Sequence, residues 1–431
     1  MTNKSRSRLD WSSLWRKEDW LSVWLGFAIL AVAAAGIITW IPELRLWTTD
    51  VTKAFPAGAE YFVALLFGFL LVSIIGVVAM KEKARSFAVS FPLIFFLSFL
   101  SLLIAKQELI GKQYGLEFAL WALVLGLVVN TIVGTPKWLQ AAAKTELFIK
   151  IGLVLLGAEI LFNKILGAGV YGMIQALIVV FSVFYFAYWL ATRIFKIERR
   201  FAAVLASAVS ICGVSAAIAA GGAVKGNKKH ISYAISVVLL LAVPMLIFMP
   251  LIARAIGLPD AVAGAWIGGT IDTTPAVVAA GSLYSKLALE IASIVKISQN
   301  VLIGVAAFIL ALVFATRARG NRKESKPSKL EIWYRFPKFV IGFIAASIVF
   351  SVILVPALGP KSVDSIVKIT SGLRGWWFAM AFVSIGLTTK IKELVKIGKG
   401  KPFIAFIIAQ IFNILLVLFI AYAIFGGIAS I

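Results

Sequence analysis

Residues 268–281 read Gly-Gly-Thr-Ile-Asp-Thr-Thr-Pro-Ala-Val-Val-Ala-Ala-Gly. The stretch lies inside an apolar run, yet it carries Asp272, three threonines, Pro275 and flanking glycines. A lipid-facing helix has no use for a carboxylate, and Pro275 has no backbone N–H to donate. Irregular polar backbone at membrane depth persists where it is packed in protein or lines a watery cavity. In a chain of repeated apolar spans, such an interruption marks a transporter's binding site.

The rest of the chain supplies the apolar spans. Of 431 residues 61% are hydrophobic and 14% charged, and mean hydropathy is +1.00. Soluble domains carry about a quarter charged residues. The length therefore divides into membrane spans, and the lipid bilayer is the chain's first partner. The formal charge of +23 sits in short loops, as the positive-inside rule requires. No zinc-finger, helix-turn-helix or aromatic-basic pattern points to nucleic acid. Cys212 is the single cysteine, so neither an intrachain disulfide nor a cysteine metal cluster is expected. His230, the single histidine, sits among lysines and reads as a solvated loop residue. There is no histidine partner for a nucleophile, no P-loop and no paired catalytic carboxylates. An enzyme is not expected, nor any cofactor or metal.

Thirteen apolar segments can be counted, at 21–41, 58–80, 87–105, 116–134, 146–163, 168–192, 201–223, 231–255, 261–281, 288–316, 336–356, 376–389 and 402–428. The first reads as a transmembrane helix rather than a cleaved signal. With a cytosolic basic N-terminus (1–20), inner loops hold about 28 Lys/Arg and outer loops about 12. One loop disagrees: Lys225-Gly-Asn-Lys-Lys-His230 would face outside. If 201–223 and 261–281 were both re-entrant hairpins, that loop would return inside, giving eleven spans. Both topologies stand at this point.

A weak internal repeat organises the spans. Residues 116–163 contain Leu-Gly-Leu-Val-Val-Asn130, Gly-Thr-Pro136 and Lys150. Residues 261–307 contain Ile-Gly-Gly-Thr-Ile-Asp272, Thr-Thr-Pro275 and Lys296. Asn130 would match Asp272, and Lys150 would match Lys296. The expected architecture is all-α and polytopic: three added helices (21–110), then five-helix repeats 116–255 and 261–428. An odd number of spans per repeat would invert the second.

Several residues inside the spans carry chemistry. Lys296 lies about 15 Å into its span at 1.5 Å per residue. A lysine at the bilayer centre costs about 2.5–3.5 kcal/mol, so it should face the interior with a partner. Ser298, Gln299 and Asn300 extend that polar face. Lys296 reads as an anion-binding cation or as a charge partner for Asp272. Lys150 is mid-span too, but Lys144 and Glu146 lie close by, and it could snorkel. Asp272 has three readings: carrier of a proton or sodium ion, partner of Lys296, or cap of a half-helix. With Thr273 and Thr274 before Pro275, it has the residue types of a helix start, and a bare helix N-terminus attracts anions. A second interruption at 207–216 includes Cys212, Gly213 and Ser215. Its expected counterpart is 384–389, where Ser384, Thr388 and Thr389 offer hydroxyls and Gly386 exposed backbone.

Six motifs then carry a resemblance: Ile-Gly-Leu-Val-Leu-Leu-Gly (151–157), Cys-Gly-Val-Ser-Ala-Ala-Ile-Ala-Ala (212–220), Gly-Ala-Trp-Ile-Gly (264–268), Val-Val-Ala-Ala-Gly (277–281), Ile-Val-Lys-Ile (294–297) and Phe-Val-Ser-Ile-Gly-Leu-Thr-Thr (382–389). Across 116–428 the chain resembles a family of bacterial and archaeal inner-membrane proteins labelled sulfate exporters, similar in plan to bile-acid and arsenite transporters. The resemblance implies two inverted five-helix repeats, with 201–223 and 376–389 as broken, crossing helices. Two departures stand out. The family's His-Glu-Thr-Ala-Gln is replaced by Asp272-Thr273-Thr274-Pro275-Ala276, and Gln299 lies where the family often has arginine.

The leading expectation is a multi-pass inner-membrane secondary transporter exporting a small anion, such as sulfate or an organosulfonate, with H+ or Na+ as coupling ion. The alternatives are a cation/proton antiporter built on Asp272 and Lys296, and a non-transporting scaffold. Assembly as a homo-oligomer is left open.

Overall fold

The computed structural model describes residues 12–55, 60–113, 118–160, 162–317, 333, 336–389 and 400–427. Residues 1–11, most of the 317–331 connection and the 390–399 part of the basic 390–401 run lie outside the described residues. Fifteen helices matter to the argument: α1 (Glu18–Ala34), α2 (Glu60–Ala79), α3 (Ala84–Ala105), α4 (Phe118–Ile132), α5 (Thr145–Glu159), α6 (Phe162–Trp189), α7 (Arg199–Ser207), α8 (Gly213–Ala223), α9 (Lys228–Ala255), α10 (Asp260–Thr270), α11 (Thr274–Tyr284), α12 (Lys286–Arg317), α13 (Phe339–Ile348), α14 (Pro360–Thr388) and α15 (Lys401–Phe425). Each of the thirteen apolar segments coincides with one or two of them. Among the described residues eight helical stretches are long and apolar enough to cross a membrane, so the chain is an all-α polytopic membrane protein.

The helices form two compact units, Met1–Leu161 with Lys338–Thr388, and Phe162–Pro337 with Thr389–Ile431. Each unit draws on both of the sequence segments read as repeats.

In the first unit, α4 and α14 touch through glycines. A Cβ on Gly126 would lie 2.4 Å from the Val383 carbonyl, and one on Gly386 2.4 Å from that of Leu123. Such small-residue contacts let backbones meet where no hydrophobic effect drives association. Arg374 of α14 holds Glu159 of α5 with two hydrogen bonds, at 2.5 and 3.1 Å.

The second unit decides the topology. α7 and α8 are joined by a wide turn of π geometry at Ala208–Cys212. Gly213 then adopts φ +41°, a left-handed conformation open to glycine at little cost. The chain reverses there. Arg200 donates to the Lys225 carbonyl at 3.3 Å, and the Phe201 ring stacks 4.2 Å from that of His230. Along one straight helix, residues 200 and 225 would stand about 37 Å apart at 1.5 Å per residue. α10 and α11 form a second hairpin. Arg254 donates to the Tyr284 carbonyl at 3.0 Å, and the Tyr284 hydroxyl donates to the Leu258 carbonyl. Between the two hairpins, α9 runs 28 residues, about 42 Å. The hairpins therefore enter from opposite faces and meet midway. This is the eleven-span arrangement, and it corrects the thirteen-span count. The loop 225–230 returns to the face carrying Arg193, Lys196, Arg199 and Arg200, which removes the charge anomaly. With one hairpin in each, the two repeats hold even numbers of spans, so parity does not invert the second. Opposed direction appears instead within this unit, where hairpin-plus-helix modules 199–255 and 260–317 run in opposite senses.

Glycines also seat the second hairpin. A Cβ on Gly264 would meet the Ala288 carbonyl at 2.7 Å, and one on Gly268 the Ala292 carbonyl at 2.6 Å. The four-residue spacing of Gly264-Ala-Trp-Ile-Gly268 puts both on one face of α10, flush against α12.

Candidate functional site: the junction of two hairpin tips

The tips touch at Gly213 and Asp272. A Cβ on Gly213 would lie 3.2 Å from both the Cβ and the carbonyl oxygen of Asp272. Lys296 reaches the same place from α12. It is 1% exposed and donates to the Ile211 carbonyl at 2.7 Å and to Gln299 Oε1 at 2.9 Å. Ile211 lies in that wide turn, so the ammonium bonds a carbonyl at the first hairpin's inner end. Gln299 passes the link on, donating to the Gly269 carbonyl at 2.9 Å.

Asp272 is 2% exposed. Its charge acts on that of Lys296, but the two are not hydrogen-bonded, and the carboxylate oxygen Oδ2 is buried without a hydrogen-bond partner. The capping expectation is corrected here. Thr273, not Asp272, occupies the N-cap of α11, and its side chain makes no capping bond. Pro275 does sit in the first turn, where its missing N–H costs nothing. Cys212 occupies the N-cap of α8, again with no capping bond from its side chain. Two half-helices thus begin at the junction without side-chain caps, and helix N-termini favour negative charge.

The remaining expected residues divide. Asn300 joins the junction, donating to Thr274 Oγ1 at 3.2 Å. Ser215 is exposed on the first turn of α8. Ser298 turns away: its hydroxyl bonds to the Ile294 carbonyl at 2.9 Å and faces Gly172 of α6. Asn130, Lys150, Ser384 and Thr388 belong to the first unit. Lys150 is ringed there by Asp19 at 2.8 Å, Glu18 at 2.9 Å and Glu146 at 3.4 Å. Asn130 accepts from Thr135 at 2.7 Å. The expected interruption at 384–389 does not form. α14 runs unbroken through Thr388, with Ser384 bonded to the Met380 carbonyl and Thr388 to that of Ser384. Gly386 is buried against α4 rather than exposed. Within the second unit the segment that meets 199–223 is 260–284, whereas 376–388 belongs to the first unit.

Three amides were missed. Gln175 of α6 donates to the Ala265 carbonyl at 2.8 Å. Gln410 of α15 donates to that of Thr270 at 3.1 Å. Asn413 reaches both Thr270 and Val209 carbonyls, at 3.3 and 3.4 Å, and so ties the two hairpins together. The signal was present: an amide alone in an apolar span needs a partner, and the 410/413 spacing puts two on one helix face.

Comparison with known proteins follows the same outline. Residues 89–426 match a family model described as "Conserved hypothetical protein 698". A UPF0324 membrane protein of Rhodopirellula baltica is 39% identical over 386 residues, covering 88% of this chain and 70% of that protein. A UPF0324 membrane protein of Nitratidesulfovibrio vulgaris is 40% identical, covering 81% of this chain and 62% of that protein's length. The UPF0324 membrane protein TauZ of Paracoccus denitrificans is 30% identical, covering 72% and 89%. No solved structure matches.

Proposed function

This chain belongs to the UPF0324 membrane protein family, and from that premise we propose that it is a secondary transporter moving a small anion across the inner membrane. One observation carries the reading: the two hairpin tips meet at mid-membrane with Lys296 buried between them and both half-helix starts uncapped. A lysine at that depth needs a reason. Half-helix N-termini without side-chain caps, beside an ammonium, suit a tetrahedral oxyanion of the sulfate or sulfonate class. Lys296 would supply the charge and the starts of α8 and α11 the directional donors.

Re-entrant tips from opposite faces also suit alternating access. Each tip separates the junction from one side of the membrane, so small movements of either hairpin would expose the site to one side at a time. No nucleotide-binding signature accompanies the site, so the energy would come from an ion gradient, a substrate gradient or a separate subunit. Export is the direction suggested by the family likeness. Transport, not catalysis, is the proposed activity, and no nucleic acid is expected as a partner.

Flux tests this directly. Proteoliposomes loaded with labelled sulfate or methanesulfonate should release label through the wild-type protein, and Lys296→Ala should abolish release. A folded wild-type protein that moves no oxyanion would end the anion reading. A second reading, cation/proton exchange, is favoured by the buried Asp272 Oδ2, which has no hydrogen-bond partner. It predicts pH-driven cation flux that Asp272→Asn removes.

A further inference from the structure

The buried polar atoms at the junction are unevenly satisfied. The amide N–H groups of Gln410 and Asn413 are committed to hairpin carbonyls, which fixes the orientation of both side chains. Their oxygens, Gln410 Oε1 and Asn413 Oδ1, are left buried and unpartnered, as are Asn300 Oδ1, Thr270 Oγ1, Ser210 Oγ and Asp272 Oδ2. All six are oxygens. They come from both hairpins and from α12 and α15. Asn413 bridging the carbonyls of Val209 and Thr270, and Gly213 against Asp272, hold these elements at one place.

Buried oxygens without donors are rare in folded proteins. Six on elements that the Gln410, Asn413 and Gly213 contacts hold together, one of them a carboxylate oxygen, suit a ligand that several oxygens can share. A proton would satisfy one of them. A divalent ion generally takes more than one carboxylate, and no group of three His, Cys, Asp or Glu forms among the described residues. A monovalent hard cation fits one carboxylate plus neutral amide and hydroxyl oxygens. We propose that this face of the junction binds a single Na+ ion through Asp272, Asn300, Ser210 and Thr270, with the amide oxygens of Gln410 and Asn413 completing the site. The inference deepens the transport reading by naming the coupling ion. It concerns different atoms from those assigned to the anion: Lys296 and the helix starts face one ligand, the oxygen cluster the other.

The test uses the purified full chain in detergent. Thermal unfolding is followed in sodium, potassium and choline chloride at equal ionic strength and at each of several pH values, alongside direct binding of radiolabelled sodium. An ion that binds the folded state raises its unfolding midpoint, so sodium should raise it above choline by several degrees, and above potassium. Asp272→Asn should lose both the shift and the bound label. Because that variant could fold poorly, Ser210→Ala and Asn300→Ala are run beside it, each expected to raise the half-saturating sodium concentration by about tenfold. Equal midpoints in all three salts for the folded wild type, or a shift no larger in sodium than in potassium, overturn the site. So does a midpoint that follows pH and ignores sodium. If sodium stabilises the protein but neither sulfate nor methanesulfonate does, the anion reading fails and the cation site stands.

Discussion

Lys150 and Lys296 were matched by position in the two sequence repeats, and both are lysines deep in apolar spans, but their surroundings differ. Lys150 has three carboxylates within 3.4 Å and a side chain 13% exposed. Two of those carboxylates, Glu18 and Asp19, open α1, so the lysine fastens the start of that helix to α5. Asp19 also accepts the backbone N–H of Lys338 at 3.3 Å. Lys296 has a backbone carbonyl and an amide oxygen for partners, and the nearby carboxylate does not touch it. A lysine surrounded by acids is already neutralised and holds structure. A lysine beside neutral oxygens keeps charge available for a ligand. Depth in the membrane raises the functional question, and the partners answer it.

The contrast can be broken most directly at Lys296. Removing a buried charge that faces a ligand costs on the order of 100-fold in affinity or flux; Lys296→Ala should show this in proteoliposomes while leaving the protein monodisperse. The same truncation at Lys150 should leave flux of the folded fraction within about twofold. The Gly213 conformation comes next. An alanine there meets Val238 at 2.4 Å and adopts a φ costing about 1–3 kcal/mol. Gly213→Ala should cut flux by about tenfold, with a lowered unfolding midpoint. Lys150→Gln should act on stability alone, by on the order of 1–3 kcal/mol, between the limits for exposed and buried ion pairs. An effect of Lys150→Gln on substrate KM would make the two lysines functionally equivalent and undo the comparison. Smallest of all, Lys196→Cys and Asn227→Cys, made beside the buried Cys212, should keep activity and react with an impermeant maleimide from the same side of the membrane. Labelling of the two from opposite sides would remove the hairpin topology.

Much of this molecule was readable in the sequence. Every apolar segment contains helix among the described residues, because backbone groups in lipid must be paired within the segment. Asp272 and Gly213 were marked as interruptions because a carboxylate and a cluster of small polar residues serve no purpose in lipid. Lys296 was marked by the cost of burying it. The 384–389 segment was misread because Ser, Gly and Thr in a membrane helix have two uses. Gly386 packs against Gly126, and the hydroxyls of Ser384 and Thr388 bond back to their own helix. Composition cannot separate that from an opening in the backbone. Gln175, Gln410 and Asn413 were overlooked because each is a single polar residue in a strongly apolar span, and its importance depends on the carbonyl it meets on another helix.

The sequence alone determined the class of protein, the places where helices stop, and the lysine and carboxylate that lipid could not tolerate. Transfer free energy is a local property, summed residue by residue, so it can be read from the chain. Tertiary structure decided the direction of the chain after each break. A 25-residue apolar stretch is long enough to cross a bilayer and equally able to fold back at Gly213. Its course is settled by contacts between residues far apart in sequence: Arg200 with Lys225, Asn413 across both hairpins, and Gly264 and Gly268 against α12. Those contacts bring two interruptions sixty residues apart to one point and so create the site.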